Sequence, residues 1–429
     1  MKVKILVEIK CQFIKKNIKK NRMILFFVPF FLFFVIIIGN LGAVFMRIES
    51  STKTLNDKLG RCIRSLGGVS SIEEIVALNN YIFNLFDAIE AMGGVHNKYA
   101  SDTISSSIKS PRNYRKKLDI YSKGLLEDYI RNDDFHKTMI SDIYSYLEEV
   151  VDNIYSGILT NNTVLSHEDF EMIMFDFFKK YHLEEFFRNF FSEKPIFNNR
   201  YSLEDNMGGF CTYNPVIKDC DVFISDFDYT IRSLFAFAHE CGHVYDLLNF
   251  NGDIRQFNIY FYMTFYNEVI SKLFEKLFLR YLIENNILKK DAISQFECNI
   301  IDNYDFFVGS YIFSLLDDET ILSKKYSTLN PEQLFNLVKR YFTDEDDIKA
   351  FLSDFDVSSF YEPFTYAYGD IISMFLSDVV HEDGFSNEIV KEFMSIRGSV
   401  FNPEFFEKHG FNGNHYIKQL EKQYKLIKK

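Results

Sequence analysis

The sequence predicts a mainly α-helical protein with a small β element, preceded by one N-terminal transmembrane helix. Apolar residues recur with helical spacing along most of the chain, which favours helices. Strand-like alternation of apolar and polar residues is rare, and its best case is residues 222–227. A single long apolar segment follows a basic N-terminus, and no second segment of that kind occurs later.

The composition is that of a chain with a substantial core. Of the 429 residues, 47% are apolar and 25% are charged, which excludes a disordered protein. The net charge of −12 disfavours nucleic acid as a partner. Six cysteines do not make a disulfide scaffold in a chain of this length, and Cys211 and Cys220 could either form a bridge or be small buried residues. The 48 phenylalanines indicate a general composition bias and not a cofactor site.

The first 46 residues are typical of a membrane anchor. Residues 1–22 contain eight basic residues and a single acidic one, Glu8. Residues 23–46 are almost entirely apolar, and at about 1.5 Å of rise per residue they are long enough to cross a hydrocarbon core of roughly 30 Å. Because basic flanks stay in the cytoplasm, we expect a single-pass protein with residues 1–22 inside and the rest of the chain outside.

Two other interpretations of this segment stay open. A cleaved signal peptide usually has a shorter apolar region, although Gly42-Ala43 is a weak candidate for a cleavage site. A buried core helix is less favoured, because the basic residues 1–22 would have to pack beside it. After the anchor, we expect a short stalk over 47–69 and one domain over 70–429.

That domain is predicted to consist of helices. Capping residues open a helical pattern over 70–92, and further helical patterns cover 113–131, 133–157 and 166–192. The sequence has no internal repeat and no proline-rich or serine-rich linker, so nothing divides the domain further.

The chemistry is concentrated in one motif. His-Glu-Cys-Gly-His at 239–243 is the sole HExxH in the chain. Two histidines four residues apart share one face of a helix, so both imidazoles can bind one Zn²⁺. Glu240 would then reach a metal-bound water and accept its proton. The alternative is a chance match on a helix with two ordinary histidines, although apolar residues at helical spacing support the helix itself: Ile231, Leu234, Phe235, Ala238 and Gly242.

A zinc site of this type needs a third protein ligand. Asp246 lies seven residues after His239, which is about 10 Å along a continuous helix. A short carboxylate at that distance cannot easily join the same metal. We therefore expect Asp246 to form a hydrogen bond to a ligating residue instead.

A predicted helix over 256–285 offers a better ligand. Glu268, Ser271 and Glu275 lie on one polar line of this helix, in an aromatic surround where unpaired polar groups are costly. The line favours Glu268 as the third ligand, with Glu275 either hydrogen-bonded to a ligand or an alternative ligand. A solvated helix face is the other interpretation.

Three features around the motif point to one family. Glu268 follows His243 by 25 residues, residues 267–275 read Asn-Glu-Val-Ile-Ser-Lys-Leu-Phe-Glu, and residues 208–211 read Gly-Gly-Phe-Cys. Together they resemble the thimet oligopeptidase and oligoendopeptidase F family of zinc metallopeptidases, which has that spacing, an E-V-A-S-x-x-x-E pattern and a G-A-Y-C segment. The resemblance covers residues 205–280. It implies a zincin-type helical metallopeptidase domain that binds one Zn²⁺ per chain through His239, His243 and Glu268.

Substrate contacts are expected next to the motif helix. Gly208 and Gly209 belong to the segment similar to G-A-Y-C. Residues 223–227 stand where the family has a strand. Residues 222–227 could pair, through Phe223 and Ile224, with an extended peptide as an added strand.

A tyrosine-rich segment later in the chain resembles the part of the family that contacts the substrate carbonyl. It spans residues 360–369 and makes Tyr366 and Tyr368 candidates for stabilising the oxyanion. Because the chain has 26 tyrosines, packing is an equally good interpretation of both residues.

These expectations describe a membrane-anchored zinc endopeptidase that hydrolyses oligopeptides, with Glu240 as the proton acceptor. Two other functions remain open. One is a catalytically inactive peptide-binding or assembly protein on the same scaffold. The other is a structural zinc site, which is less favoured because such sites usually have four protein ligands, often cysteines.

Overall fold

Helices make up most of the chain that the computed structural model describes. The described residues are 47–49, 53–66, 78, 81, 82, 85, 89, 133–154, 163–191, 194–199, 209–214, 219–225, 227–249, 266–314, 361–396 and 402–428. The helices with bounds in these ranges are α1 (Lys53–Leu66), α2 (Asp133–Ile154), α3 (His167–Lys180), α4 (Glu184–Phe191), α5 (Ile231–Leu248), α6 (Val269–Glu284), α7 (Lys289–Ser314), α8 (Tyr361–Asp383), α9 (Glu388–Ile396), α10 (Pro403–His409) and α11 (Gly413–Lys428). The strands there are β1 (Arg47–Glu49), β2 (Pro195–Asn199), β3 (Gly209–Asn214) and β4 (Asp219–Ser225). The prediction of a mainly helical fold with a small β element is confirmed over these residues.

One predicted helix is in fact two. The pattern over 166–192 predicted a continuous helix, but α3 and α4 are separate. His182, between them, has a φ of 59°, and the N–H of Leu183 donates to the carbonyl of Phe178 over 2.8 Å. This is a Schellman closure, in which a left-handed residue ends a helix, and histidine here takes the position that glycine usually fills.

The remaining predicted helices are described unequally. The helix predicted over 133–157 is present as α2, which ends at Ile154. The helix predicted over 113–131 lies outside the described residues, as does most of the one predicted over 70–92.

The four strands form one sheet in the order β1-β2-β4-β3. β1 and β2 are parallel, β2 and β4 are parallel, and β3 and β4 are antiparallel. β4 corresponds to the strand predicted at 222–227, and it has a hydrogen-bonded neighbour on each side. Of the four described strands, β1 and β3 are the edges.

Each face of the sheet packs against a different helix. Phe223 stacks between Phe197 and Phe210 on one face, with ring centroids 5.1 and 4.4 Å apart, and buried residues of α1 pack against these rings. Side chains alternate between the two faces along a strand, so the neighbouring pair Gly209 and Ile224 lies on the other face, against α5. The sheet therefore separates α1 from the motif helix.

Residues 47–66 belong to the folded body, and the prediction of a stalk over 47–69 was wrong for them. β1 joins the sheet as a parallel neighbour of β2. On α1, Leu55, Leu59 and Cys62 recur about one turn apart and are no more than 8% exposed. A helix whose apolar face is buried in the core is part of the domain and not a spacer.

The central helices meet at one place. α5 packs against α6, α6 packs against α8, and α7 packs against α2 and α8. The HExxH motif lies on α5, and Glu268 directly precedes α6. The junction of α5, α6 and α8 therefore contains the predicted site.

No helix within the described ranges is both long and apolar enough to cross a membrane. The segment predicted to do so, 23–46, lies outside these ranges together with the basic residues 1–22. The anchor therefore stays a prediction.

Candidate metal centre

The motif helix α5 is fixed by its apolar face and by its first residues. Leu234, Phe235 and Ala238 are no more than 4% exposed. At the start of the helix, Oδ1 of Asp228 accepts hydrogen bonds from the N–H of Thr230 at 3.1 Å and from the hydroxyl of Ser233 at 2.8 Å. These bonds stabilise the first turn, and the burial of the apolar stripe sets which face carries the motif.

Three side-chain atoms converge at the centre of the site. Nε2 of His239 and Nε2 of His243 are 3.1 Å apart, and each lies 3.3 Å from Oε2 of Glu268. In the described part of the chain, these three residues are the group that could hold a metal ion. Ligand atoms about 2.0–2.2 Å from a tetrahedral Zn²⁺ lie about 3.3–3.6 Å from one another. The triangle therefore fits zinc in both its spacing and its donor atoms.

Hydrogen bonds orient one of the histidines. Nδ1 of His239 lies 2.6 Å from Oε1 of Glu275. An ionised carboxylate can only accept a hydrogen bond, so Nδ1 carries a proton. In a ring that binds a metal ion, Nε2 would then be the deprotonated nitrogen and would direct its lone pair into the triangle. Glu275 therefore contacts His239 in this structure, and its predicted role as the hydrogen-bonded neighbour of a metal ligand stays a prediction.

Glu268 stands at the beginning of α6 and not within a helix. It occupies the N-cap position with φ −91° and ψ 2°, whereas the sequence predicted a continuous helix over 256–285. Residues 250–265 lie outside the described chain. Oγ of Ser271 lies 2.9 Å from both the carbonyl oxygen and Oε2 of Glu268. The first turn of α6 thus orients the third carboxylate.

Two glycines allow α5 and α8 to approach the segment that carries Glu268. A Cβ atom on Gly242 of α5 would lie 2.5 Å from Cα of Ser271, and a Cβ atom on Gly369 of α8 would lie 2.6 Å from Cβ of Glu268. Both distances are far below the optimum of about 3.5–4.0 Å for carbon atoms in contact. Only glycine at these positions permits this packing around the candidate site.

We expect Gly242→Ala to lower the free energy of unfolding by about 1–3 kcal/mol or more, because the added methyl group meets the main chain of α6. Urea unfolding of the metal-free protein measures this change. Ser145→Ala, at an exposed position of α2, is the control and should change stability by no more than about 0.5 kcal/mol. Equal stability of the two variants would show that α5 and α6 are not in main-chain contact.

Glu240 lies on the side of α5 that faces the sheet. A Cβ atom on Gly209 of β3 would come within 3.1 Å of Cγ of Glu240. Glu240 is 3% exposed, and its Oε2 atom has no hydrogen-bond partner among the described residues. Burial raises the pKa of Glu240, and the neighbouring His239 and His243 oppose that increase. A buried carboxylate of this kind, next to a possible metal site, is suited to accept a proton.

The carboxylates make the centre favourable for positive charge. Burial by itself would lower the pKa of His239, but hydrogen bonds to Glu268 and Glu275 outweigh it and raise this pKa to about 10. Burial would likewise raise the pKa of Glu268, but His243 and His239 hold it well below its usual value. The charge that a metal ion would bring is therefore stabilised where the three ligand atoms meet.

Lys272 belongs to the site although the sequence analysis did not single it out. It is 7% exposed, and its Nζ lies 3.4 Å from Oε2 of Glu275. Its position four residues after Glu268, on the same helical face, was the available signal. In a lysine-rich chain that signal resembles any solvent-facing lysine.

Asp246 is buried on α5 and is 3% exposed. It is not one of the three residues whose ligand atoms converge. Its predicted hydrogen bond to a ligating residue stays a prediction.

The two tyrosines proposed for the oxyanion lie in packed positions. Tyr368 is 0% exposed, and its hydroxyl lies 2.6 Å from Nδ1 of His136. Tyr366 is partly buried and stacks on Phe306, with ring centroids 4.2 Å apart. The hydroxyl of Tyr368 is closed to a substrate in this structure, so packing describes that residue better. The oxyanion role of Tyr366 stays a prediction.

The strand predicted to pair with a substrate is an interior strand of the sheet, paired on both sides. β4, which contains Phe223 and Ile224, is paired with β2 on one side and β3 on the other, and both side chains are 0% exposed. The prediction that these two residues bind substrate was therefore wrong, because the main-chain groups of β4 already bond to its neighbours. β3, with Gly209 beside Glu240, is the edge on this side of the described sheet. Gly208 lies outside the described residues.

The cysteines of the sheet are not bridged. Cys211 on β3 and Cys220 on β4 are both free thiols. Cys220 is 0% exposed, which agrees with the interpretation as a small buried residue.

Comparisons with known proteins give one structural match. No protein-family model matches the chain, and no curated protein matches it in sequence. Among solved structures, the crystal structure of a putative oligoendopeptidase F from Bacillus anthracis strain Ames matches with 14% sequence identity and a TM-score of 0.40, over 87% of this chain and 79% of that chain. A likeness at this level establishes neither a family nor an activity for this chain.

Proposed function

We propose that this protein is a zinc-dependent endopeptidase that hydrolyses peptide bonds in oligopeptides. The observation that carries the proposal is the convergence of Nε2 of His239, Nε2 of His243 and Oε2 of Glu268 within 3.3 Å of one another. Catalytic zinc sites use three protein ligands and keep one position for water, whereas structural sites usually use four. The buried carboxylate of Glu240, next in sequence to the first histidine, supports the catalytic interpretation.

The side chains of the centre would hold and orient the metal. His239 and His243 would ligate through Nε2, and Glu268 through Oε2. A bound zinc ion would lower the pKa of a water molecule toward 7 and polarise the carbonyl of the scissile bond. Glu275 keeps the ring of His239 in the required tautomer through the 2.6 Å contact at Nδ1.

Glu240 would move the proton. Its Oε2 atom is buried, and no described residue forms a hydrogen bond with it, so this oxygen can accept a proton from an attacking water. The same oxygen would then donate that proton to the nitrogen of the leaving amine. The pKa of Glu240, which burial raises, makes the carboxylate a better proton acceptor than an exposed glutamate.

An extended peptide would be aligned by β3. This strand is an edge of the described sheet, and an edge strand presents main-chain groups to which another strand can bind. Gly209, at the beginning of β3, lies against Glu240. A peptide added along β3 would therefore pass close to the proton acceptor.

We also propose that residues 23–46 anchor the chain in a membrane and keep the site on the extracytoplasmic side. The basic residues 1–22 and the apolar run that follows them support this placement. The substrates would then be peptides outside the cytoplasm.

A quenched fluorescent peptide tests the proposed activity. We expect hydrolysis that stops after dialysis against a chelator and returns when Zn²⁺ is added, because the ligand set binds the metal without covalent attachment. Cleavage is followed by fluorescence, and zinc content is followed by atomic emission on the same samples. Hydrolysis that persists without metal would overturn the proposal. Zinc binding without hydrolysis of any peptide in a mixed library would favour the inactive peptide-binding protein.

A further inference from the structure

Lys272 is a buried cation in the first turn of α6. Its side chain is 9% exposed, and its Nζ lies 3.4 Å from Oε2 of Glu275. The other oxygen of the same carboxylate, Oε1, contacts Nδ1 of His239 at 2.6 Å. Lys272 and His239 therefore hold opposite oxygens of Glu275, which fixes the rotation of this carboxylate.

The negative charges around the centre explain why the contact between Lys272 and Glu275 matters. Three of the buried carboxylates around the centre are Glu240, which is 3% exposed, Glu268, which is 5% exposed, and Glu275, whose side chain is 13% exposed. Neutral histidines add no charge, so a divalent ion would balance only two of the three negative charges. Buried charge without a partner is costly. The ammonium of Lys272 brings a further positive charge to the site, 3.4 Å from Oε2 of Glu275.

The neighbouring lysine on α6 is engaged elsewhere. Nζ of Lys276 pairs with Oδ1 of Asp370 at 2.5 Å, and the hydroxyl of Tyr416 donates to the other oxygen of Asp370 at 2.5 Å. Asn299 of α7 reaches Oε2 of Glu275 at 3.5 Å but carries no charge. Of these three side chains, Lys272 alone brings positive charge to Glu275 at hydrogen-bonding distance.

We propose that Lys272 is a positioning residue of the metal centre, which orients Glu275 so that its Oε1 atom accepts a hydrogen bond from the N–H at Nδ1 of His239. The proposal rests on the proposed function, because it assumes that His239 binds a metal. Lys272 does not touch the metal or the substrate. It acts through Glu275, and Glu275 acts through His239.

Zinc affinity of the full chain tests this inference. We expect Lys272→Met, which keeps the apolar stem, to raise the Kd for Zn²⁺ by about 10–100-fold, the usual effect of removing a group that orients a metal ligand. A chromophoric chelator in competition with the protein measures the Kd at one fixed pH. Absorption of the Co²⁺-substituted protein reports the ligand geometry and should change in this variant.

Lys276→Met is the matched control, because it removes an equally buried lysine of the same helix whose partner is Asp370. Both variants should unfold at lower temperature without metal, but we expect the Kd of Lys276→Met to stay within about threefold of the wild-type value. This comparison separates a loss of general stability from a loss of positioning. Equal weakening of zinc binding in the two variants would overturn the inference.

A second comparison uses Glu275→Gln alone and together with Lys272→Met. If Lys272 acts through Glu275, the double variant should bind zinc no more weakly than Glu275→Gln alone. A double variant whose increase in the Kd for Zn²⁺ equals the product of the two single increases would contradict the inference. A wild-type Kd in Lys272→Met would contradict it as well. A wild-type protein that binds zinc but hydrolyses no peptide would overturn the proposed function and leave the positioning role standing. A wild-type protein that binds no zinc would overturn both.

Discussion

Glu240→Gln is expected to lower kcat/KM for peptide hydrolysis by about 10²–10⁴-fold while the protein keeps its zinc, which is the range that a positioned acid or base contributes. Glutamine has nearly the shape of glutamate but cannot accept a proton at neutral pH. None of the three converging ligand atoms comes from Glu240, so the metal should stay bound. Hydrolysis of a quenched peptide and zinc content on the same samples measure the two effects separately.

Glu171→Gln is the control for this substitution, because Glu171 lies on α3 and pairs with His167. It should hydrolyse the peptide at the wild-type rate. Loss of zinc from Glu240→Gln would show that Glu240 is a ligand. Wild-type hydrolysis in Glu240→Gln would show that another group accepts the proton.

The motif helix could be predicted from the sequence because its evidence is local. The histidines are four residues apart, and the apolar stripe lies within the same 18-residue helix, so one turn of periodicity places both imidazoles on one face. The apolar face of α1 was equally visible in Leu55, Leu59 and Cys62. The position of these residues directly after the apolar segment favours a stalk, whereas the spacing of their apolar side chains favours a buried helix, and the structure shows the buried helix.

The pairing of the strands could not be predicted in the same way. The alternation of its side chains predicts β4. Its two neighbours in the sheet are β3 and β2, and β2 lies more than 20 residues upstream. The fourth strand, β1, lies near residue 48. Whether a strand is an edge or an interior strand depends on these distant partners, and periodicity within the strand carries no trace of them. The alternation in β4 therefore predicts a strand that could bind substrate, but the edge strand on this side of the described sheet is β3.

Glu268 and Lys272 show what spacing can and cannot predict. The polar line and the family spacing both pointed to Glu268, and the structure brings it to the two histidines. The same spacing does not distinguish Lys272 from a solvent-facing lysine, because an exposed lysine and a buried one look alike in sequence. In the structure α6 packs against both α5 and α8, and Lys272 is 7% exposed on this packed helix.

Glu268→Ala is expected to raise the Kd for Zn²⁺ by more than about 100-fold, beyond the effect of losing a group that only orients a ligand. Its Oε2 atom lies 3.3 Å from both imidazole nitrogens, and the other two donors cannot complete the site without it. Peptide hydrolysis should be lost with the metal. Chelator competition and zinc content measure the first effect, and the quenched peptide measures the second.

Asp246→Ala is the matched control for Glu268→Ala, because Asp246 is also a buried carboxylate next to the motif and is 3% exposed. Removing it takes away one negative charge near the same histidines without removing a converging donor atom. We expect its effect on the Kd to stay within about 10–100-fold even if Asp246 orients a ligand. A larger loss of zinc in Asp246→Ala than in Glu268→Ala would contradict the ligand assignment, since the long-range charge effect is common to both variants and only ligation differs.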